Sequence, residues 1–232
     1  RDIVVFINQL AKNNLSNKTI QAIVVVMKSI IKYGNMMNEM NLNIGLIPCP
    51  KNKYVKTDVL SKEEVKELIE YMKNHPSYKN LAIYLSLYTG MRIGEICALT
   101  WDDIDLENKR ISVKQTIQRI YTDEGNTKVV VMTPKTDNSI RDIPIPMIIE
   151  DMLLSEKIRY GYLLTHSYKY VEPRTLQKYF KKIMNELNYD KTHFHILRHT
   201  FATTCIQCGV DVKSLSEILG HSSVNITLNR YV

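Results

Sequence analysis

Two short stretches of the sequence concentrate side chains able to handle a phosphodiester. In the first, Thr89-Gly90-Met91-Arg92-Ile93-Gly94-Glu95-Ile96, two glycines bring the backbone close and an arginine opens a short helix. Glu95, three residues on, shares the helical face of Arg92 and can hold it. A surface ion pair beside a helix start is the plain alternative. In the second, His193-Phe194-His195-Ile196-Leu197-Arg198-His199, a spacing of three puts His195 and Arg198 on one face, which His199 can share. A guanidinium beside an imidazole is a poor metal site but suits a phosphodiester, because arginine grips two phosphate oxygens while histidine moves a proton. Further on, His221 follows Gly220, and Tyr231 comes ten residues after it.

Other chemistries find less support. Cys205-Ile206-Gln207-Cys208 is a C-x-x-C near His193, His195 and His199, which raises a zinc site. Structural zinc sites want a second ligand pair at suitable spacing, and both cysteines fall inside an apolar helical stretch, so buried, inert thiols and no metal are expected. Neither G-x-x-x-x-G-K-S/T nor G-x-G-x-x-G occurs, so nucleotide chemistry has no motif and no cofactor is expected. Cys49, Cys97, Cys205 and Cys208 are too irregularly spaced for a disulfide framework, which points to a reducing cytosol.

The elements that must position these residues are mostly helical. Only 8 glycines occur in 232 residues, about half the usual share of roughly 7%, which disfavours a turn-rich all-β fold. With 44% hydrophobic and 24% charged residues the chain can bury a real core and is neither disordered nor fibrous. The longest apolar run, Ala22 to Met27, is far too short to span a membrane. The first residue is Arg rather than Met and no signal peptide opens the chain, so a fragment is expected.

Charge divides the chain. The formal net charge is +7 and suggests a polyanionic partner. Residues 1–56 hold eight basic side chains (Arg1, Lys12, Lys18, Lys28, Lys32, Lys51, Lys53, Lys56) against Asp2 and Glu39, a net of +6. The rest carries 23 basic and 22 acidic residues, a net of +1.

Apolar spacing predicts helices over Ile3 to Leu10 and Ile20 to Met37, with Ser16 and Asn17 as cap and turn formers. Asn41 to Lys56, with Pro48, Pro50 and three lysines, lacks periodicity and reads as a stiff linker, giving limits of 1–47, a linker 48–57, and 58–232. A capping box at Ser61-Lys62-Glu63-Glu64 opens a helix to about Asn74, and another runs from Lys79 to Tyr88, stopped by Gly90. The period then alternates: Ile111 to Val113 and Val129 to Val131 flank the turn Asp123-Glu124-Gly125-Asn126, and Ile140 to Ile145 follows, predicting one small antiparallel sheet of about three strands. Helices return at Arg174 to Leu187, His195 to Cys208, Val212 to Leu219 and from Val224, with Gly209 and Gly220 as stops.

Four blocks together, Thr89 to Glu95, His195 to Thr203, Leu219-Gly220-His221-Ser222-Ser223 and Thr227-Leu228-Asn229-Arg230-Tyr231, resemble the tyrosine recombinases, the phage-integrase family, in order and spacing. The resemblance spans Asp58 to Val232. It implies a mainly α fold with a small antiparallel β-sheet, an α+β catalytic domain of the DNA breaking-rejoining kind, preceded by part of a helical core-binding domain that clamps DNA. On that resemblance Arg92 and Arg198 clamp the scissile phosphate, His195 accepts a proton from the tyrosine, His221 hydrogen-bonds a phosphate oxygen and Tyr231 is the nucleophile. Lys135, in Thr133 to Arg141, resembles the hairpin lysine that protonates the 5′-oxygen, with Lys128 as its rival. Glu95 supports the arginines, while His193 and His199 stand as bystanders. A phenol of pKa about 10 needs such cations and a base to act at neutral pH.

The implied activity is site-specific recombination through a 3′-phosphotyrosyl intermediate, without metal or ATP, in DNA integration and excision by a mobile element. A type IB-like topoisomerase and a non-catalytic DNA-binding regulator are the alternatives. Implied partners are double-stranded DNA, gripped in part by Lys12, Lys18, Lys28, Lys32, Lys51 and Lys53, further copies in a homo-tetramer on DNA from a protein monomeric when free, and an accessory excision factor. The implied setting is the cytoplasm, with no membrane, for a bacterial or phage-encoded protein.

Overall fold

The computed structural model describes residues 2–39, 41–50, 57–133, 139–191 and 193–231. The chain divides into two compact units, Arg1–Lys56 and Thr57–Val232.

In the first unit, α1 (Asp2–Lys12) and α2 (Asn17–Met36) pack on a small core of Ile7, Ile20, Val24, Ile31 and Ile47. Ser16 caps α2: its hydroxyl accepts from the Thr19 amide at 3.1 Å, filling one of the orphan donors of a helix start. The expected linker departs from expectation at its beginning. Asn35 holds Leu42 through two hydrogen bonds, of 2.8 and 3.1 Å, and a single 3₁₀ turn (Ile44–Leu46) lets Ile47 enter the core. Periodicity is invisible in so short a return, which is why this segment reads as linker. Residues 51–56, including Lys51 and Lys53, lie outside the described residues.

The second unit opens with α3 (Lys62–Asn74). Its capping box forms as expected, with Ser61 Oγ accepting from the Glu64 amide at 3.1 Å and Glu64 Oε2 accepting from the Ser61 amide at 2.7 Å. Next, α4 (Asn80–Thr89) is buried on nearly every side, making it the central helix, against which α8 packs. Gly90 ends it in the left-handed region at φ +68°. The short α5 (Ile93–Ala98) follows.

The β region differs from the expected single sheet. Strands β1 (Ile104–Asp105), β2 (Arg110–Val113) and β5 (Arg141–Pro144) form one antiparallel sheet in the order β1-β2-β5, with Ile111 opposite Ile143. Val129 to Val131 belongs instead to β4 (Thr127–Met132), which pairs with β3 (Thr116–Tyr121) in a separate hairpin, Arg119 opposite Val129. Exposed Gln118 and Arg119 interrupt the apolar alternation of β3, so its sequence does not announce a strand; the tight turn through Gly125 fixes its partner.

A further helix, α6 (Met147–Ser155), stands where no element is expected from the sequence, with Ile149 and Leu153 buried. Then α7 (Pro173–Glu186) buries Leu176, Phe180, Ile183 and Met184, a helical stripe. The chain closes through α8 (Ile196–Gln207), α9 (Val212–Leu219) and α10 (Val224–Tyr231). Among the described residues no helix is long and apolar enough to cross a membrane.

Candidate active site

The C-terminal end of α9 gathers the cations. Three successive carbonyls there accept from three different arginines: Ile218 from Arg141 Nε at 2.6 Å, Leu219 from Arg198 Nη2 at 2.8 Å and Gly220 from Arg92 Nη2 at 3.2 Å. The last carbonyls of a helix lack intrahelical partners and carry the negative end of its dipole, so they draw in guanidiniums. Gly220 ends α9 at φ +62°, and a Cβ there would lie 2.9 Å from Arg141 Nη1. Thus three elements far apart in sequence, β5, α8 and the start of α5, converge on one helix end.

Arg198 is 1% exposed and also donates to the Gly90 carbonyl at 2.7 Å. Burial and the Arg92 guanidinium pull it down to about 9, still charged at neutral pH. Arg92 remains partly open, with a side chain 37% exposed. Glu95 joins it to Arg141: Arg92 Nη1 donates to Oε1 at 2.8 Å and Arg141 Nη2 to Oε2 at 2.9 Å. Burial alone would raise the Glu95 carboxyl, but Arg141 and Arg92 outweigh it and hold it at about 2. Arg141 is a member of the site that sequence reasoning missed. An arginine on a strand gives no sign that its side chain is 93% enclosed, at 7% exposure.

His221 has a determined tautomer. A guanidinium only donates, so Nε2 accepts from Arg198 Nη2 at 3.0 Å, and the ring proton sits on Nδ1, donated to the Thr227 hydroxyl at 2.7 Å. Burial and Arg198 lower this imidazole to about 4, which keeps it neutral. Thr227, the acceptor, is fully buried in α10.

Tyr231, on the last turn of α10, packs against Ala202, Leu215 and Leu219. Its hydroxyl lies 2.8 Å from Nδ1 of His199. Burial raises the phenol, and the charges of Arg198, Arg230 and Arg92 oppose that rise. His195 stands behind His199, the two rings edge to face with centroids 4.5 Å apart. Burial and then His199 push His195 down to about 3, and burial and Arg230 push His199 to about 4. The imidazole hydrogen-bonded to the tyrosine is thus His199, which the sequence reading set aside as a bystander, with His195 one ring further away. The i+4 spacing from His195 was the available signal; the position of α10, which decides which ring meets the hydroxyl, is a tertiary matter.

Arg92 and His195 also line an open groove of about 550 Å³ together with Gln118, Arg119, Arg174 and Gln177. Lys135 lies outside the described residues, and its rival Lys128 is exposed on β4 opposite Ile120. The expectation of two buried cysteines is corrected: Cys205 is half-buried, with burial pushing its thiol up to about 11, and Cys208, which caps the end of α8, is exposed. Among the described residues no group of three or more His, Cys, Asp or Glu side chains is placed to hold a metal ion.

Known proteins resemble this chain in sequence and in fold. The Phage integrase family matches residues 58–232. A tyrosine recombinase XerC-like protein of Caldanaerobacter subterraneus subsp. tengcongensis is 32% identical over 256 aligned residues, covering 97% of this chain and 65% of that protein, so the chain spans just under two thirds of that relative. Tyrosine recombinase XerA of Pyrococcus furiosus is 26% identical, covering 98% of this chain and 74% of its own. Among solved structures, the Tn1549 transposon integrase in complex with a circular intermediate DNA shares the fold with a TM-score of 0.82 at 22% identity, over 100% of this chain and 80% of that one. A lambda integrase tetramer bound to a Holliday junction does so with a TM-score of 0.67 at 17% identity, over 95% of this chain and 63% of that one. With a family match over three quarters of its length and a relative at 32% identity along nearly all of it, this chain belongs to the phage integrase family.

Proposed function

We propose that the protein is a site-specific DNA recombinase of a mobile element, which cleaves and rejoins strands through a 3′-phosphotyrosyl intermediate on Tyr231. The observation that carries this reading is a half-buried phenol placed between an imidazole and the charge of Arg198, at a helix end where three guanidiniums meet.

Arg92 and Arg198 neutralise the phosphate oxygens as the pentacoordinate phosphorane forms, an electrostatic stabilisation that needs no reorganisation because α9 and Glu95 already hold both groups. His221, neutral and accepting from Arg198 at Nε2, helps to orient that guanidinium. As the Tyr231 oxygen bonds to phosphorus, the bond to the 5′-oxygen breaks and Lys135 supplies that oxygen with a proton. The phosphotyrosyl ester keeps the energy of the phosphodiester, so a second strand's 5′-hydroxyl reverses the step without ATP.

The first unit supplies part of the DNA grip. Lys12, Lys18 and Lys32 are exposed there and Lys28 is half-buried. Changing these four to alanine should lower the salt dependence of DNA binding by about one unit of slope per lost phosphate contact. The partners are double-stranded DNA, further copies in a tetramer on the junction and an accessory excision factor. The setting is the cytoplasm, for a bacterial or phage-encoded protein.

The test is a nicked suicide duplex bearing the element's own end junction, followed by denaturing electrophoresis. A covalent protein–DNA band forms with the intact protein and disappears with Tyr231→Phe. A DNA-binding regulator would shift the duplex without that band.

A further inference from the structure

We propose that Glu172 stands in for a DNA phosphate: it holds the Arg119 guanidinium in the free protein and yields it to a backbone phosphodiester when a duplex enters the groove beside Arg92 and His195. This rests on the DNA-cleavage reading above and adds a grip that the catalytic residues do not supply.

The charge of the groove is anomalous for a site that receives a polyanion. Arg92, Arg119 and Arg174 line it, as such a site requires, yet so does the carboxylate of Glu172. The other carboxylate on its wall, Glu95, is 4% exposed and already bonded to Arg92 and Arg141. Glu172 is placed differently. Its side chain is 42% exposed, and its Oε2 accepts from Arg119 Nη2 at 2.6 Å.

Both partners are built for an exchange. Arg119 stands on β3 directly opposite Val129, which also lines the groove, and its Nη1 donates to the Thr127 hydroxyl at 3.0 Å. The neighbouring strand therefore keeps the guanidinium in place while Nη2 changes partner. Glu172 is the N-cap residue of α7, but its side chain makes no capping hydrogen bond, and Pro173 follows at once. The carboxylate turns to the arginine instead, and the positive end of α7 stabilises it once released.

The energies favour the swap. An exposed ion pair contributes little, whereas an arginine on a phosphate makes a charge-assisted hydrogen bond and releases condensed counterions. Glu172 thereby sets how readily DNA seats in the groove. It lowers the affinity of all duplexes alike, because a phosphate contact carries no sequence information.

The experiment measures binding by the full-length protein through fluorescence anisotropy over a salt series, on a duplex bearing the element's own end and on an unrelated duplex of equal length. Every protein carries Tyr231→Phe so that no strand is cut. Glu172→Gln should tighten binding to both duplexes about two- to fivefold, the scale of an exposed ion pair. Arg119→Gln should weaken both and make the salt slope about one unit shallower. The double variant decides, since it leaves the net charge unchanged. With Arg119 handed to a phosphate, Arg119→Gln with Glu172→Gln binds about threefold or more weakly than the parent, and its slope stays about one unit shallower. A pair that remains closed on DNA is a neutral bystander, so parental affinity and slope in the double variant overturn the proposal. Weakened binding of Glu172→Gln to the element's end alone overturns it too, because the carboxylate would then be reading a base. The covalent band with Tyr231 intact keeps the two claims apart: its absence from the parent defeats the recombinase reading, whereas a parental double variant beside a normal band defeats only the exchange.

Discussion

Arg141 grips the Glu95 carboxylate with both arms of its guanidinium, Nη2 to Oε2 at 2.9 Å and Nη1 to Oε1 at 3.3 Å, while its Nε holds the end of α9. One strand residue thereby joins the Arg92 helix to the loop that carries His221. Removing it leaves Glu95, 4% exposed, with half its compensation. We expect Arg141→Gln to cost about 3–5 kcal/mol and to lower the melting temperature by roughly 10 °C for a unit of this size. Arg141→Lys should rescue little, because a single ammonium cannot reach Glu95, the Ser139 carbonyl and the Ile218 carbonyl in one plane. Circular dichroism melting measures this; a shift under 2 °C for Arg141→Gln would contradict it, on the order of less than 1 kcal/mol.

The two glycines that end helices beside the site differ in what they permit from a turn glycine elsewhere. At Gly90 the backbone is left-handed, at φ +68°, and a Cβ would sit 2.5 Å from the Phe201 ring and 2.7 Å from Leu219. Gly90→Ala therefore combines about 1–2 kcal/mol of left-handed strain with about 1–3 kcal/mol of overpacking. It also moves the carbonyl that holds Arg198, so cleavage should drop along with stability. Gly125, at φ +75° with nothing within 4 Å, is the control: alanine there should cost only the strain. Denaturant melts of the two variants settle the comparison, and equal losses would be the wrong result.

Acid should weaken the catalytic unit in two stages. His195, His199 and His221 are neutral when folded, lowered to about 3, 4 and 4, whereas unfolded histidine titrates near 6.5. Below 6.5 the unfolded chain binds more protons, so this contribution is complete above 6.5 and declines as the pH falls toward 4 for His199 and His221 and toward 3 for His195. Glu95, held at about 2 against an ordinary 4.5, loses its contribution below that, between 4.5 and 2. Melting temperature followed from neutral pH downward should start falling near the histidine range, and a plateau down to about pH 4.5 would show that the three rings do not titrate as described.

The His221 ring depends on a residue with no chemistry of its own. Its Nδ1 proton goes to the buried Thr227 hydroxyl, which leaves Nε2 to accept from Arg198. Thr227→Val keeps the shape but strands that N–H, at a cost of about 1–3 kcal/mol, and frees the ring to adopt the other tautomer, which faces Arg198 with a proton. Cleavage should fall more than DNA binding does. Thr227→Ser, which keeps the acceptor, should restore the rate; equal behaviour of the two variants would count against the tautomer.

Residue types and spacing drew notice to Arg92, Glu95, His195, Arg198, His221 and Tyr231, and the family resemblance supplied their expected roles; what spacing encodes is local geometry, a left-handed glycine after α4, another after α9 and a three-residue step along α8. Helix periodicity likewise announced α3 and α7, whose buried residues recur every three or four positions. The rest belongs to contacts between distant segments. Pairing of β2 with β5 rather than with the valines of β4 follows from the exposed hairpin between them, whose polar strand has no pattern to read. Arg141 is buried because the end of α9 closes over it, and no property of residues 133–141 foretells that. The choice of His199 over His195 as the ring on the tyrosine is made by where α10 lies across α8, since both imidazoles share one helical face and only the position of an incoming hydroxyl separates them.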